Sequence, residues 1–394
     1  MRTTRYFPAV SCATSSYLKK SDKEIFSTSK CIKKSLRFYN KDWDNYFYHP
    51  DVLFSAAHHA KKFPDIRCGL QIDDKACIFV DSGGYQLSSG ALSEKSWNNK
   101  IALEWSENNG TIFPILDRPV TGSVSEGEIK RCLELSADAA KYYYENRSNS
   151  ACSILNVLSA KNVPEMERWY RAVSPYEFDG WAHGGTNRNF KATLKGIFFL
   201  LKKGEYEKEN IKFHHIFGVS RMDAMIYFAA IQKNLNSMGI DVQITFDSSY
   251  FQRNLAFGGY FIFPGYTGIQ QIYYSNRNKY EHLPDDLGLP CDCPVCSTIP
   301  SIKDWLSDPR DFYMLGLEHN LFLMLRYKKS IDSLINMNMP EVFSASFPAE
   351  VTKNVRAIYK AFNNLDAAYE IIDREFTTKN TEEDKSSLES FFGE

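Results

Sequence analysis

Residues 77–87 read CIFVDSGGYQL. An apolar, β-type run from Ile78 to Val80 ends on Asp81, and Ser82, two glycines, Tyr85 and Gln86 follow at once. A carboxylate at the last position of a buried strand asks for a function. The same construction recurs along the chain in TIFPILD (111–117), CSILNVLS (152–159), FDGWAHGG (178–185), FHHIFGVS (213–220) and VQITFDSS (242–249). Helix-like stretches at 126–147, 163–174 and 221–239 lie between several of them. Strands alternating with helices at this spacing predict βα units and a parallel sheet. Asp81, Asp117, Ser159, His183, Ser220 and Asp247 all stand where an apolar run stops. In a (β/α)8 TIM-type barrel the strand C-termini surround one site, and functional side chains come from several of them. An open doubly wound sheet would instead gather its polar signals at one switch point, usually with a glycine-rich dinucleotide loop. No G-x-G-x-x-G follows a strand here, so the α/β barrel is the expected fold.

Within that frame, residues 1–70 are rich in Tyr, Phe and Lys without clean periodicity and are expected to pack on the barrel as a separate segment. The barrel is expected over 71–376, and the polar stretch 377–394 as a flexible tail. The 394-residue chain carries a net charge of −1, which neither demands nor excludes a nucleic-acid partner, because binding needs a local basic patch rather than a basic total. No apolar run approaches the roughly 20 residues of a membrane span, and MRTTRYFPAVSCATSS lacks the apolar core of a secretory signal. A soluble, cytoplasmic protein without a membrane partner is the expectation.

Six of the nine cysteines are scattered singly, as reduced small hydrophobes usually are. The other three form CDCPVCS: Cys291, Cys293 and Cys296 in a C-x-C-x-x-C. Three thiolates supply three of the four ligands of a zinc site, and His319, in GLEHNLFLML, completes a Cys3His set. With four protein ligands the metal keeps no open position, so the expected zinc, one per chain, is structural and defines a small inserted subdomain at about 285–325. Asp81 and Asp247 each follow a strongly apolar run and precede small residues. Gly83 and Gly84 are expected to let backbone N–H groups approach something flat or anionic. Carboxylates across a barrel mouth suit glycosyl chemistry, in which one attacks an anomeric carbon and another manages the leaving group's proton.

Taken in order, DSGGYQ, the strand-end Asp of LDRPV, FGV, FDSSYFQRN and C-x-C-x-x-C followed by EHN resemble the guanine transglycosylase superfamily over roughly residues 75–325. Its members exchange guanine for a 7-deazaguanine in tRNA, and one branch does so in DNA. The resemblance implies a pentosyltransferase. Asp247 matches the nucleophile, and Asp81 the aspartate that contacts the base and transfers a proton. Tyr85 matches the aromatic that stacks on the base, Gln86 the neighbouring amide, and Asp117 a second base-reading carboxylate. Phe217, before Gly218, falls on the other side of the stacking sandwich, and Arg253 matches the arginine after the nucleophile. Cys291, Cys293, Cys296 and His319 match the zinc ligands.

Some positions depart from the family pattern. Ser159-Ala160 stands where members usually carry Gln-Gly, and DGWAHGG replaces a GGLAVG-type strand, placing Trp181 and His183 near the pocket. Residues 297–318 hold two basic and four acidic side chains where the tRNA enzymes carry a basic helix, whereas residues 19–37 are lysine-rich. These features favour DNA, with a free 7-deazaguanine such as the 7-cyano form as the second substrate and tRNA as the alternative polymer. A homodimer, or an accessory protein that opens DNA, is compatible with either. A non-catalytic, zinc-stabilised nucleic-acid-binding paralogue is the reading from a different class, and three retained carboxylates argue against it. A metal-dependent barrel hydrolase would need strand-end histidines, of which His183 and the pair His214-His215 are the few candidates.

Overall fold

The computed structural model describes residues 2–120, 124–184, 190–219, 222–256, 259–262, 270–273, 282, 284–289, 291–337 and 340–377. Eight parallel strands form one sheet: β1 (Arg5–Pro8), β2 (Asp51–Ser55), β3 (Cys77–Asp81), β4 (Ile112–Pro114), β5 (Ser153–Leu158), β6 (Gly180–His183), β7 (Phe213–Ile216) and β8 (Gln243–Ser248). Their spatial order is β1-β8-β7-β6-β5-β4-β3-β2. Just beyond the end of β1 the sheet comes back on itself, where Val10 N–H donates to Leu53 O of β2 at 3.0 Å. The result is a nearly closed (β/α)8 barrel. All six strands expected from the sequence are present. Buried on both faces, they read as short apolar runs rather than as alternating ones.

Two further strands come from the segment set apart from the barrel, residues 1–70. Strand β1 has four residues and β2 five, and neither stands out among the irregular residues that separate them. Residues 1–70 therefore build a quarter of the barrel wall rather than packing on it. The tail from residue 378 onward lies outside the described residues, as does Ser220.

Helices follow the strands and cover the outside, and their starts are written in the sequence. Asn98, Ser125 and Asn162 each accept a backbone N–H of the first helical turn, opening helices Asn99–Asn109, Glu126–Asn146 and Val163–Val173. After β8 come helix Tyr250–Ala256, an antiparallel hairpin of β9 (Gly259–Ile262) and β10 (Gln270–Tyr273), and the cysteine loop. The 28-residue helix Pro309–Asn336 then returns along the barrel. Among the described residues no helix is long and apolar enough to cross a membrane.

Side chains alternate into and out of the cylinder. Inside, Phe7 of β1, Phe79 of β3 and His215 of β7 form one layer, with Phe79 stacked on the imidazole at 3.8 Å and Phe7 at 5.4 Å from Phe79. At the strand N-termini Arg5 and Asp51 are paired, Arg5 Nε donating to Asp51 Oδ2 at 2.9 Å. Outside, Trp181, His183 and His214 face the helix layer. His183 Nδ1 and His214 Nε2 share a hydrogen bond of 2.7 Å, and Tyr206 Oη lies 2.6 Å from His214 Nδ1. Trp181 Nε1 donates to Glu205. The expectation that Trp181 and His183 stand near the pocket is therefore corrected: with a period of two, it is Gly180 and Ala182 that face inward on β6. Burial pushes the His183 imidazole down to about 3, so it stays neutral against its helix.

The contact with that helix is close enough to test. A Cβ built on Gly196 would stand 1.7 Å from His183 Nε2. Gly196→Ala is expected to cost roughly 1–3 kcal/mol as overpacking, seen as a lower denaturant midpoint at unchanged slope. In a His183→Ala background the same substitution should cost much less; equal costs would show that the imidazole is not what fills the space.

Candidate active site

The strand C-termini bring Asp81, Asp117 and Asp247 to one mouth. Asp81 is the last residue of β3, Asp247 the penultimate residue of β8, and Asp117 closes the segment that continues β4. Their charges are felt mutually. Loss of water raises the Asp81 carboxyl above its ordinary range, and the charge of Asp247 adds to the effect. Asp117 is pushed up to about 7, mainly by burial and further by Asp81, with Arg118 opposing.

Asp247 is held by one oxygen. Its Oδ1 accepts the Gly218 N–H at 2.7 Å and lies 3.3 Å from His215 Nε2. Gly218 can aim its N–H this way because it sits at φ 64°, the left-handed region open to glycine. Among the described residues Oδ2 accepts no hydrogen bond, so one carboxylate oxygen is tethered and the other is available.

The glycines after Asp81 allow a close approach of neighbouring loops. A Cβ on Gly84 would stand 2.2 Å from Asp117 O and 2.8 Å from its Oδ1, and one on Gly83, at φ +88°, would stand 2.4 Å from the Ala57 Cβ. The turn is filled by protein. It brings β3 against the β2 and β4 connections, and so fixes Asp81 beside Asp117.

Around the carboxylates, the other expected residues divide. Ser159 is buried, its Oγ has no hydrogen-bond partner among the described residues, and Gly184 leaves space beside both that oxygen and Asp117 Oδ2. Tyr85 is 61% exposed at the rim, an unusual place for an aromatic without a partner. Phe217 is half-buried with its ring edge-on to His215 at 4.7 Å. Tyr85 and Phe217 leave strands four apart in the sheet, on opposite sides of the mouth. Gln86 contacts His58, Nε2 to Nε2, at 3.1 Å. Arg253, on helix Tyr250–Ala256, is exposed.

Two histidines were not assigned a role from sequence. His215 is completely buried between Thr245 Oγ1, 2.8 Å from its Nδ1, and Asp247. His58 favours the charged form of Asp81. Alternation within FHHIFGV, which puts His215 on the side of Phe217 and His214 on the other, was the available signal for the first. For the second it was AHHA directly after the short β2, a strand the sequence did not reveal.

Above the barrel, Cys291, Cys293, Cys296 and His319 converge so that their ligand atoms all lie within 4.8 Å of one another. His319 Nδ1 is 3.2 Å from Cys293 Sγ and 3.1 Å from Cys296 Sγ. Three sulfurs and one imidazole at these separations fit the edges of one tetrahedron around a zinc-sized ion, with bonds of about 2.0–2.3 Å. His319 reaches the loop from helix Pro309–Asn336. Compared with known proteins, the chain matches no family model and no curated protein. What fold and site define is a (β/α)8 barrel with a three-carboxylate mouth and a Cys3His cluster.

The raised Asp117 carboxyl has a consequence for stability. Below its ordinary value of 3.8 it is protonated whether the chain is folded or not; from there to about 7 the unfolded chain releases the proton and the folded one keeps it. Its contribution is thus favourable at low pH and is lost as pH rises toward 7. Asp117→Asn should stabilise the protein relative to wild type by an amount that grows from pH 4 to 7 and is constant above. A pH-independent difference in unfolding free energy would mean that the carboxyl ionises normally.

Proposed function

We propose that the protein is a base-exchange transglycosylase, a pentosyltransferase that replaces guanine in a polynucleotide with a 7-deazaguanine such as the 7-cyano form. The observation that carries this reading is the single mouth in which a carboxylate with one free oxygen, Asp247, faces two carboxyls of raised proton affinity, Asp81 and Asp117. In the proposed reaction Asp247 Oδ2 attacks C1′ of the sugar and the C1′–N9 bond breaks. Guanine leaves with the bonding pair and takes a proton from Asp81. A 7-deazaguanine then enters, returns its N9 proton to Asp81, and its nitrogen displaces the ester at C1′. Two inversions give net retention, and the exchange needs no nucleotide cofactor.

The remaining groups fit recognition of guanine. Asp117 offers acceptors to N1–H and the exocyclic amine, and the unpartnered Ser159 hydroxyl offers a donor to the carbonyl oxygen. Tyr85 and Phe217, from opposite sides, would cover the two faces of the base. Extracting a stacked base costs a few kcal/mol, which aromatic stacking largely returns.

DNA is the preferred polymer, tRNA the alternative. In the segment between Cys296 and His319, Lys303 is paired with Asp285 and Arg310 with Asp308, a poor grip for phosphate. Lys19, Lys20, Lys61 and Lys62, exposed on the connections after β1 and β2, give a different basic surface, with Lys19 Nζ 5.5 Å from the Phe63 ring. Purified protein, labelled guanine and either duplex DNA, single-stranded DNA or total tRNA provide the test. Label is expected to enter DNA, and Asp247→Asn should fold yet incorporate none. Label entering tRNA alone overturns the DNA preference, and label entering no polymer overturns the transglycosylase reading.

The Cys3His cluster is proposed to hold one structural zinc, which would cross-link the loop to helix Pro309–Asn336. Four protein ligands leave no position for substrate. Zinc in finger-type sites contributes roughly 10–16 kcal/mol of apparent binding energy, so losing a ligand harms folding before chemistry. Metal analysis should find one zinc per chain, and Cys293→Ala should lower both the zinc content and the melting temperature. Unchanged stability without zinc would refute this.

A further inference from the structure

We infer that His215 is a positioning residue that sets the lifetime of the covalent intermediate on Asp247; this rests on the transglycosylase reading. The imidazole is completely buried and walled by aromatic rings: Phe79 stacks on it at 3.8 Å, and Phe217 stands edge-on at 4.7 Å. It cannot turn away without disturbing the interior layer of the barrel. Its two nitrogens face different chemistry. Nε2 lies 3.3 Å from Asp247 Oδ1, and an ionised carboxylate can only accept. Nδ1 lies 2.8 Å from Thr245 Oγ1, a hydroxyl that can donate. The neutral ring therefore carries its proton on Nε2, gives it to Asp247, and receives the Thr245 proton at Nδ1. Burial lowers the imidazole's proton affinity and keeps it neutral.

Two donors, this one and the Gly218 N–H, then converge on the same oxygen. Both act on Oδ1, which leaves Oδ2 to form the bond to C1′. In the ester, Oδ1 is an ordinary carbonyl oxygen and its hydrogen bonds are weaker than those of the carboxylate. The donors thus stabilise Asp247 as a leaving group more than they stabilise the ester. An exchange enzyme must undo its intermediate as readily as it makes it. The His215 bond tilts that balance toward release; a hydrogen bond to a charged group is worth about 10- to 100-fold in such an equilibrium.

The experiment uses the full-length protein and the oligonucleotide that incorporates label. The covalent adduct is trapped by denaturation, and its decay is followed after a chase of excess free guanine. His215→Leu is expected to raise the steady-state adduct and slow its decay by about tenfold or more, with kcat falling and KM for the free base nearly unchanged. His215→Gln should restore fast decay, because an amide can donate to Asp247 and accept from Thr245. Thr245→Val, which frees the ring from its partner, should slow decay less. If His215→Leu merely reduces the active fraction while its surviving adduct decays at the wild-type rate, or if Leu and Gln behave alike, the inference is overturned and the transglycosylase reading stands. A wild-type protein that forms no adduct with any polymer removes both.

Discussion

A nearly closed cylinder of eight parallel strands has no room for indecision about which way a side chain points. Each strand alternates between an interior one layer of side chains wide and an exterior sealed by helices, so a shift of one residue would exchange the two sets completely. Everything at the mouth depends on this. Because Thr245 and Asp247 share a face on β8, and His215 shares one with Phe217 on the β7 side, a polar file runs up one wall of the barrel and ends at the nucleophile candidate. The same rule throws His183, His214 and Trp181 outward, where His183 and His214 hydrogen-bond to each other and Trp181 donates to Glu205.

The mouth adds a second constraint, the absence of side chains at selected points. Asp117 is desolvated where Gly84 lets the β3 turn close on its backbone, and its proton affinity rises mainly through that burial and further because Asp81 is near. A larger residue at position 84 would separate the two carboxyls and hydrate both. Electrostatic coupling at this site is thus a product of steric shape.

Much of the architecture was legible because each of the six apolar runs that hold the middle strands stops at a polar residue made conspicuous by the run. Strands β1 and β2 lie in residues 1–70, where no regular alternation with helix-like stretches marks them, and what assigns them to the wall is pairing with β8 and β3, a fact of long-range register. The cysteine triplet and His319 could be joined in sequence because thiol spacing is local and chemically distinctive. His215 could not, because its partners Thr245 and Asp247 are 30 and 32 residues away and only strand pairing brings them within reach. The close approach of Ala57 to Gly83 and of Asp117 to Gly84 was likewise hidden, because those neighbours are distant in the sequence.

Helix Pro309–Asn336 bears on how the chain becomes a barrel during synthesis. It reaches the seam between first and last strands from both ends: Asn320 donates to Phe251 O just after β8, and Asp332 accepts from Thr4 Oγ1 just before β1. The pairing of β1 with β8 joins residues some 240 positions apart, the costliest loop closure in the sheet. A nascent chain emerging from the ribosome must therefore hold two unsatisfied strand edges until β8 is made, and the clasp that bridges them arrives only afterwards. Placing the Cys3His cluster on that clasp makes the gathering of those four side chains and the closing of the seam neighbouring events, and a chain stalled before the clasp would still present both edges to other chains.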